Sequence, residues 1–228
     1  RDTKDRGRPV GRADMAELDY EVLHKNVFYF PDAIQGIAEF MEVLEKTQCG
    51  AVTEWQTWYA NGQEDGYPYG DLKVLNLNEL KSETDPVIKA NAEYIVNTLL
   101  GAMEACCREF MVQHKASSEE LEELHNGMYN SGVYYGIRRY NEPESMGPHP
   151  DRVEEGKDTY TISVYLDEDY EGGELGIVQE GVDALIKPKA GSMVVFPSGY
   201  LHESKPLTRG RKTIITHVHT TLNPIIDF

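Results

Sequence analysis

The sequence is poor in cysteine, tryptophan and basic charge. Its 228 residues include three cysteines and two tryptophans. An odd count, with Cys106 and Cys107 adjacent and Cys49 apart, does not make a disulfide framework. Neighbouring helical side chains diverge, so Cys106 and Cys107 are poor partners, and buried thiols in a cytoplasmic or other reducing compartment are expected. No run of eighteen apolar residues occurs, so no membrane-spanning helix is expected. Lys+Arg number 22 against 39 Asp+Glu, a formal charge of −17, which repels phosphate backbones and argues against nucleic-acid binding. The same charge suits a cationic partner or simply keeps the chain soluble. The start, Arg1 to Asp14, is polar and shows no signal-peptide core, and it opens without Met, which leaves room for a leader.

What is present divides into two unlike halves. Residues 1–15 are basic and aperiodic and are expected to be a flexible arm. Residues 16–228 form a single domain, mainly helical support and an aromatic loop over 16–130 and a strand-rich core over 131–228. Asp32 is expected to cap a helix with Ile34, Ile37, Phe40, Met41, Val43 and Leu44 at helical spacing. Between Ala51 and Asp71 the composition turns to Trp55, Trp58, Tyr59, Tyr67 and interspersed glycine. This segment reads equally as packing and as a lid over a site. Asp85-Pro86 opens a long core helix, and Ser117 with Glu120 has capping-box spacing before a shorter one. Glu119-Glu120 and Glu122-Glu123 are expected on its solvated face.

After Asn130 the period switches to two. Strands are expected over 132–140, 159–166, 174–178, 184–187, 192–196 and 212–220, with Gly172-Gly173 at a turn. Short antiparallel strands at this density indicate a sandwich or barrel, an α+β fold braced by the preceding helices.

The chemistry lies in this half. His149 and Asp151 stand two apart, so in extended backbone both face one side. Alone, such a pair reads as a solvated loop. His202, just past an apolar strand and the turn Pro197-Ser198-Gly199, completes two histidines and a carboxylate. That donor set is the facial triad of non-haem Fe(II) oxygenases, which leaves coordination positions open. Lys212 opens the next strand in phase with Ile214 and Thr216, while Arg211 falls out of phase and Arg209 sits in the preceding turn. A lysine on the inner face of a barrel needs an anion, which a dicarboxylate chelating the metal at its other end would supply. His217 and His219 share a strand face and read as core or surface histidines rather than as a second metal pair.

An ordered set of motifs runs through this half: Tyr140, His149-Pro150-Asp151, Tyr165-Leu166, Gly172-Gly173-Glu174-Leu175, Pro188-Lys189-Ala190-Gly191, Val195-Phe196-Pro197, His202 and Pro206 to Lys212. Over about the last ninety residues the chain resembles the prolyl 4-hydroxylase branch of the Fe(II)/2-oxoglutarate-dependent dioxygenases. The resemblance implies a double-stranded β-helix of jelly-roll, cupin-like form, with His149, Asp151 and His202 as iron ligands. It implies Lys212 and Tyr165 on the far carboxylate of 2-oxoglutarate, and Tyr140 lining the pocket. Fe(II), 2-oxoglutarate and O2 are the implied cofactors, with room for ascorbate. The implied activity is hydroxylation of an unactivated C–H bond, procollagen-proline 4-dioxygenase-like, on a proline-containing peptide or protein, with succinate and CO2 as coproducts. The family's Arg-Thr-Ser substrate loop has no counterpart in Ala51 to Trp55, where Trp55 and Trp58 are the candidate substrate-loop residues. The reaction type is therefore carried further than the substrate. The same chemistry on a free amino acid or other small molecule is the alternative. A non-catalytic cupin-like metal module is a second one, against which Lys212 and Tyr165 speak.

Overall fold

The first described element is a strand pair, not a helix. In the computed structural model, which describes residues 18–59, 68–130, 134–179 and 181–225, β1 (Glu21–His24) turns back into β2 (Val27–Phe30). All four residues of β2 are buried. The helix α1 (Ile37–Lys46) starts later than expected: its N-cap is Gly36, in the left-handed region at φ 68°, with no side-chain cap, and Asp32 takes no part. The segment expected to be an aromatic loop is an antiparallel hairpin of β3 (Gln56–Tyr59) and β4 (Pro68–Asn76). Residues 16–130 are thus not only helical support, because they supply four strands. Val27-Phe28-Tyr29-Phe30 is too short a run for its period to declare it, and glycine dilutes the alternation of the hairpin. The expected flexible arm lies outside the described residues, as do residues 60–67 of the hairpin.

The short α2 (Leu77–Leu80) precedes α3 (Pro86–Gln113), which is capped by the Asp85 carboxylate accepting from the backbone of Val87 and Ile88. Ile95, Leu99, Met103, Cys106 and Phe110, three or four apart, bury one stripe of α3 against the sheet. Ser117 caps α4 (Ser118–Tyr129) as its spacing predicts. Glu120 departs from expectation. It is buried, and its carboxylate accepts from the backbone of Leu222 and Asn223 at 2.8 and 2.7 Å instead of facing water. Its donors lie a hundred residues away, beyond the reach of any local pattern. No helix among the described residues is long and apolar enough to cross a membrane.

Seven more strands follow: β5 (Tyr134–Asn141), β6 (Met146–His149), β7 (Thr159–Tyr165), β8 (Tyr170–Gly172), β9 (Leu175–Gln179), β10 (Val182–Ile186) and β11 (Met193–Pro197). The last two are β12 (His202–Ser204) and β13 (Leu207–Thr220). The large sheet runs β1-β2-β11-β7-β13-β5-β4-β3, with β8 paired to the start of β13, and the small sheet runs β10-β9-β12-β6. Together they form a double-stranded β-helix, a jelly roll braced by helices.

Strand alternation divides the core. Ile162, Val164 and Ile215 face the helices, while Tyr165, Phe196 and Ile214 face the barrel interior. At Gly70, φ is 117° and an added Cβ would stand 2.1 Å from the Arg139 carbonyl, so glycine lets the hairpin lie against β5.

His217 and His219 belong to the helix side. Their rings lie 5.1 Å from those of Tyr135 and Tyr160 respectively. Burial lowers both to about 4. Between pH 4 and the ordinary histidine value near 6.5, the unfolded chain therefore binds more protons than the native one. Their contribution to stability is complete above about pH 6.5 and is lost as the pH falls toward 4, by up to roughly 3 kcal/mol each. The loss in urea midpoint between pH 7 and pH 5 should be smaller in a His217→Gln/His219→Gln variant than in the parent. An equal loss would show that other groups carry the acid sensitivity.

Candidate metal centre and anion pocket

The pairing of β12 with β6 sets His202 directly opposite His149, with ring centroids 4.4 Å apart. Asp151 follows two residues after His149, and its backbone N–H is fastened to the Ser198 carbonyl at 2.8 Å. His202 Nε2 stands 3.4 Å from Asp151 Oδ2, and His149 Nε2 3.9 Å from Oδ1. One donor atom from each residue lies within 4.8 Å of the others, the one such group of three among the described residues.

The surroundings settle which nitrogen each ring offers. His149 Nδ1 meets the Gly147 carbonyl at 2.8 Å and His202 Nδ1 the Tyr200 carbonyl at 3.0 Å. A carbonyl only accepts, so both Nδ1 atoms carry hydrogen and both Nε2 lone pairs face inward, as metal-binding imidazoles are oriented. The Thr161 hydroxyl donates to Asp151 Oδ2 at 2.7 Å and also meets Ser198 Oγ at 3.0 Å. Phe196 packs edge-on against the His202 ring at 4.9 Å. Burial lowers the proton affinity of His202, which favours the neutral, ligating form. Two neutral imidazoles and one carboxylate fit a divalent iron-type cation.

The triad opens into a cavity that Tyr140, Tyr165, Lys212 and Arg138 also line. Lys212 is almost wholly buried. Its ammonium donates to the Gly173 carbonyl at 2.8 Å and to Ser204 Oγ, and lies 5.2 Å from the Tyr140 ring centre. Burial first, then the Lys187 charge, pulls it down to about 8, against the opposing effect of Asp167 and Glu174. Burial pushes the Tyr140 and Tyr165 phenols up, so both remain hydrogen-bond donors at neutral pH. The predicted strand phases hold: Ser163 and Tyr165 face the cavity with Lys212, Ile214 and Thr216. Arg209 instead pairs with Glu171 at 2.9 Å, and Arg211 is exposed.

The two tryptophans part company. Trp55 does not reach the cavity. It stacks on Arg139 at 3.6 Å and donates to Glu45 of α1, on the helix side. Trp58 lies under Arg138, 4.7 Å from the guanidinium carbon, and packs on Tyr69 across the hairpin. Among the described residues of the hairpin, Trp58 thus meets the cavity through Arg138, which lines it. Arg138, Thr161 and Ser204 are cavity or ligand-supporting residues that sequence reasoning passes over. Arg138 could have been found, because it stands two residues before Tyr140 on one strand and so shares its face.

Replacing His149, Asp151 or His202 with alanine should abolish both divalent-metal binding, read by calorimetry with Mn(II), and 2-oxoglutarate turnover. The circular dichroism spectrum should persist, because these side chains serve the cavity and not the core. Chelation should likewise leave the chain folded, unlike a structural zinc domain.

Residues 135–219 match the 2OG-Fe(II) oxygenase superfamily. A PKHD-type hydroxylase of Shewanella frigidimarina is 38% identical over 86 residues, which are 33% of this chain and 38% of that protein. The chain spans less than half the length of the first such relatives it matches. Among solved structures, a 2OG-Fe(II) oxygenase family oxidoreductase from Burkholderia pseudomallei superposes with a TM-score of 0.51 at 16% identity, covering 89% of this chain and 90% of that one. A prolyl hydroxylase from Trichoplax adhaerens, solved with a peptide fragment of the hypoxia inducible factor oxygen degradation domain, gives 0.52 at 16% identity, covering 88% and 85%. At that identity the two structures speak for the fold, the double-stranded β-helix. The superfamily uses Fe(II), 2-oxoglutarate and O2, and the triad could hold the metal. By sequence over residues 135–219 the likeness is to the 2OG-Fe(II) oxygenase superfamily and its PKHD-type hydroxylases, and by fold it extends over most of the chain.

Proposed function

We propose that the chain is a 2-oxoglutarate-dependent dioxygenase that hydroxylates an unactivated C–H bond, with the proline of a peptide or protein as the first substrate to test. The observation that carries the reading is one cavity lined by both the triad and a buried ammonium. A mere metal-binding module has no use for the ammonium, whose desolvation is unfavourable without an anion to meet. In this reading His149, Asp151 and His202 hold Fe(II), which with 2-oxoglutarate and O2 supplies the oxidising chemistry and yields succinate and CO2.

The residues of the chain bind, orient and exclude water. Lys212 receives the far carboxylate of 2-oxoglutarate, exchanging its bonds to Gly173 and Ser204 for a charge-assisted pair. Tyr165 adds a neutral donor. Thr161 holds the Asp151 carboxylate toward the two Nε2 atoms. Phe196 and Ile214 keep the interior dry. A free acid or other small molecule is the second reading, favoured by the presence of Arg138 inside the cavity.

The direct test is succinate release with Fe(II), 2-oxoglutarate and panels of proline-rich peptides and free amino acids, with mass shifts read on each candidate. No succinate above the metal-free control would sink the reading. Truncating one partner of a buried pair costs about 3–5 kcal/mol. Lys212→Ala should therefore raise the apparent 2-oxoglutarate constant by roughly two to three orders of magnitude. Tyr165→Phe removes one neutral donor and should cost about tenfold or less. Because the Lys212 ammonium sits near 8, affinity for 2-oxoglutarate should fall as the pH rises above that value. Lys212→Arg, fully charged throughout, should lack that fall.

A further inference from the structure

Among the described residues, Arg138 is the one cation lining the cavity that the metal and the cosubstrate leave without a task. It is half-buried on β5, two residues before Tyr140 on the same face, and opposite Ile214 of β13. Its guanidinium carbon lies over the Trp58 ring, 4.7 Å from the ring centre, and its side chain reaches the Tyr140 hydroxyl. Trp58 in turn packs at a tilt on Tyr69 across the hairpin, with centroids 5.0 Å apart, so its ring is supported from behind. Asp151 and Glu203 line the same cavity, yet neither pairs with it: Asp151 faces the two histidines, and Glu203 is bound to Lys205 at 2.6 Å. Among the described residues no carboxylate forms an ion pair with Arg138. Arg139, one residue on, points to the other face and is neutralised by Glu45.

On a chain of formal charge −17, an arginine inside a cavity with no acid partner among the described residues is unusual. One contact to the Tyr140 hydroxyl leaves further guanidinium N–H donors to offer, and their fork matches the two oxygens of a carboxylate. Stacking also limits the side-chain entropy lost when a ligand arrives. Lys212 lies one row further along the barrel, opposite Tyr140, whereas Arg138 lies opposite Ile214. The two cations are therefore distinct anchors, one row apart on adjoining strands.

Resting on the dioxygenase reading above, we infer that Arg138, backed by Trp58, is the specificity-determining anchor for a carboxylate carried by the substrate itself. A free acid and an acidic side chain beside the target residue of a peptide present the same group, and the two are separable by experiment.

The test loads the protein with Mn(II) and N-oxalylglycine, a redox-silent pair that occupies the metal and cosubstrate positions, and titrates matched probes by calorimetry. The free-acid arm compares hexanoate with hexanamide. The peptide arm compares a capped proline peptide carrying glutamate beside the proline with the same peptide carrying glutamine. In at least one arm the carboxylate should bind about tenfold or more tightly than its amide, as a charge-assisted pair requires. Arg138→Gln and Arg138→Met should each erase that preference, Arg138→Lys should keep part of it, and Trp58→Leu should weaken it. The arm that shows the preference identifies the source.

Absence of a preference in both arms overturns the inference, as does a preference that survives in both charge-removing variants. A loss of N-oxalylglycine affinity in Arg138→Gln as large as that in Lys212→Ala also overturns it, by placing Arg138 with the cosubstrate. Failure of the parent to bind Mn(II) and N-oxalylglycine is a separate result, read before any probe is added. It removes the dioxygenase reading and this inference with it.

Discussion

The register between β6 and β12 governs the site. With His202 across from His149, two rings from different strands meet without any loop having to find its place. Asp151 is then placed by one backbone bond to Ser198 and one hydroxyl from Thr161. A one-residue slip of either strand would turn its histidine to the opposite face of the sheet. The register is held from the other side as well, since β12 pairs with β9 and Ile177, opposite His202, is fully buried. Apolar packing in the barrel thus fixes the distance between two metal-ligand candidates that share no covalent neighbour.

Charge is distributed against the trend of the molecule. The chain as a whole is strongly acidic, yet Lys212 and Arg138 put two cations into one cavity. Lys212 tolerates this because neutral acceptors, a carbonyl and a hydroxyl, already satisfy its ammonium. Arg138 tolerates it because aromatic faces and a phenol surround it. Among the described residues neither is locked to a carboxylate, so both keep their capacity for anions. The large sheet separates this interior from a helix side with its own charge pair, buried Arg139 with exposed Glu45, beside Trp55. The two environments meet in adjacent residues of one strand, as alternation requires.

How much of this was legible in the sequence depended on how local each signal was. The HxD pair, the histidine after the apolar strand and the lysine ten residues later occupy the places their spacing gave them, because strand period and turn residues are local. Asp85 and Ser117 cap their helices for the same reason. Of the strands missed, β2 and β12 hold only four and three residues, fewer than any period needs to show itself, while the nine-residue β4 follows a glycine-rich stretch that hides its alternation. Glu120 looked like one of four surface acids, because its partners at Leu222 and Asn223 come from the far end of the fold. Trp55 and Trp58 looked alike in a glycine-rich stretch, and only the pairing of β4 with β5 sends one to the helices and the other to the cavity.

The position of β13 in chain order bears on how the domain can be made. It lies between β7 and β5 in the large sheet, yet every other strand precedes it in the sequence. Until it is synthesised, β7 and β5 each present an unpaired inner edge, in a half-formed barrel whose apolar interior is open to water. Such edges invite pairing with another chain. A ribosome-bound or C-terminally shortened chain therefore carries a gap through its middle rather than a missing tail. The final insertion that closes the gap also brings Lys212 into the cavity, so the anion pocket and the closed sheet come into being in a single event.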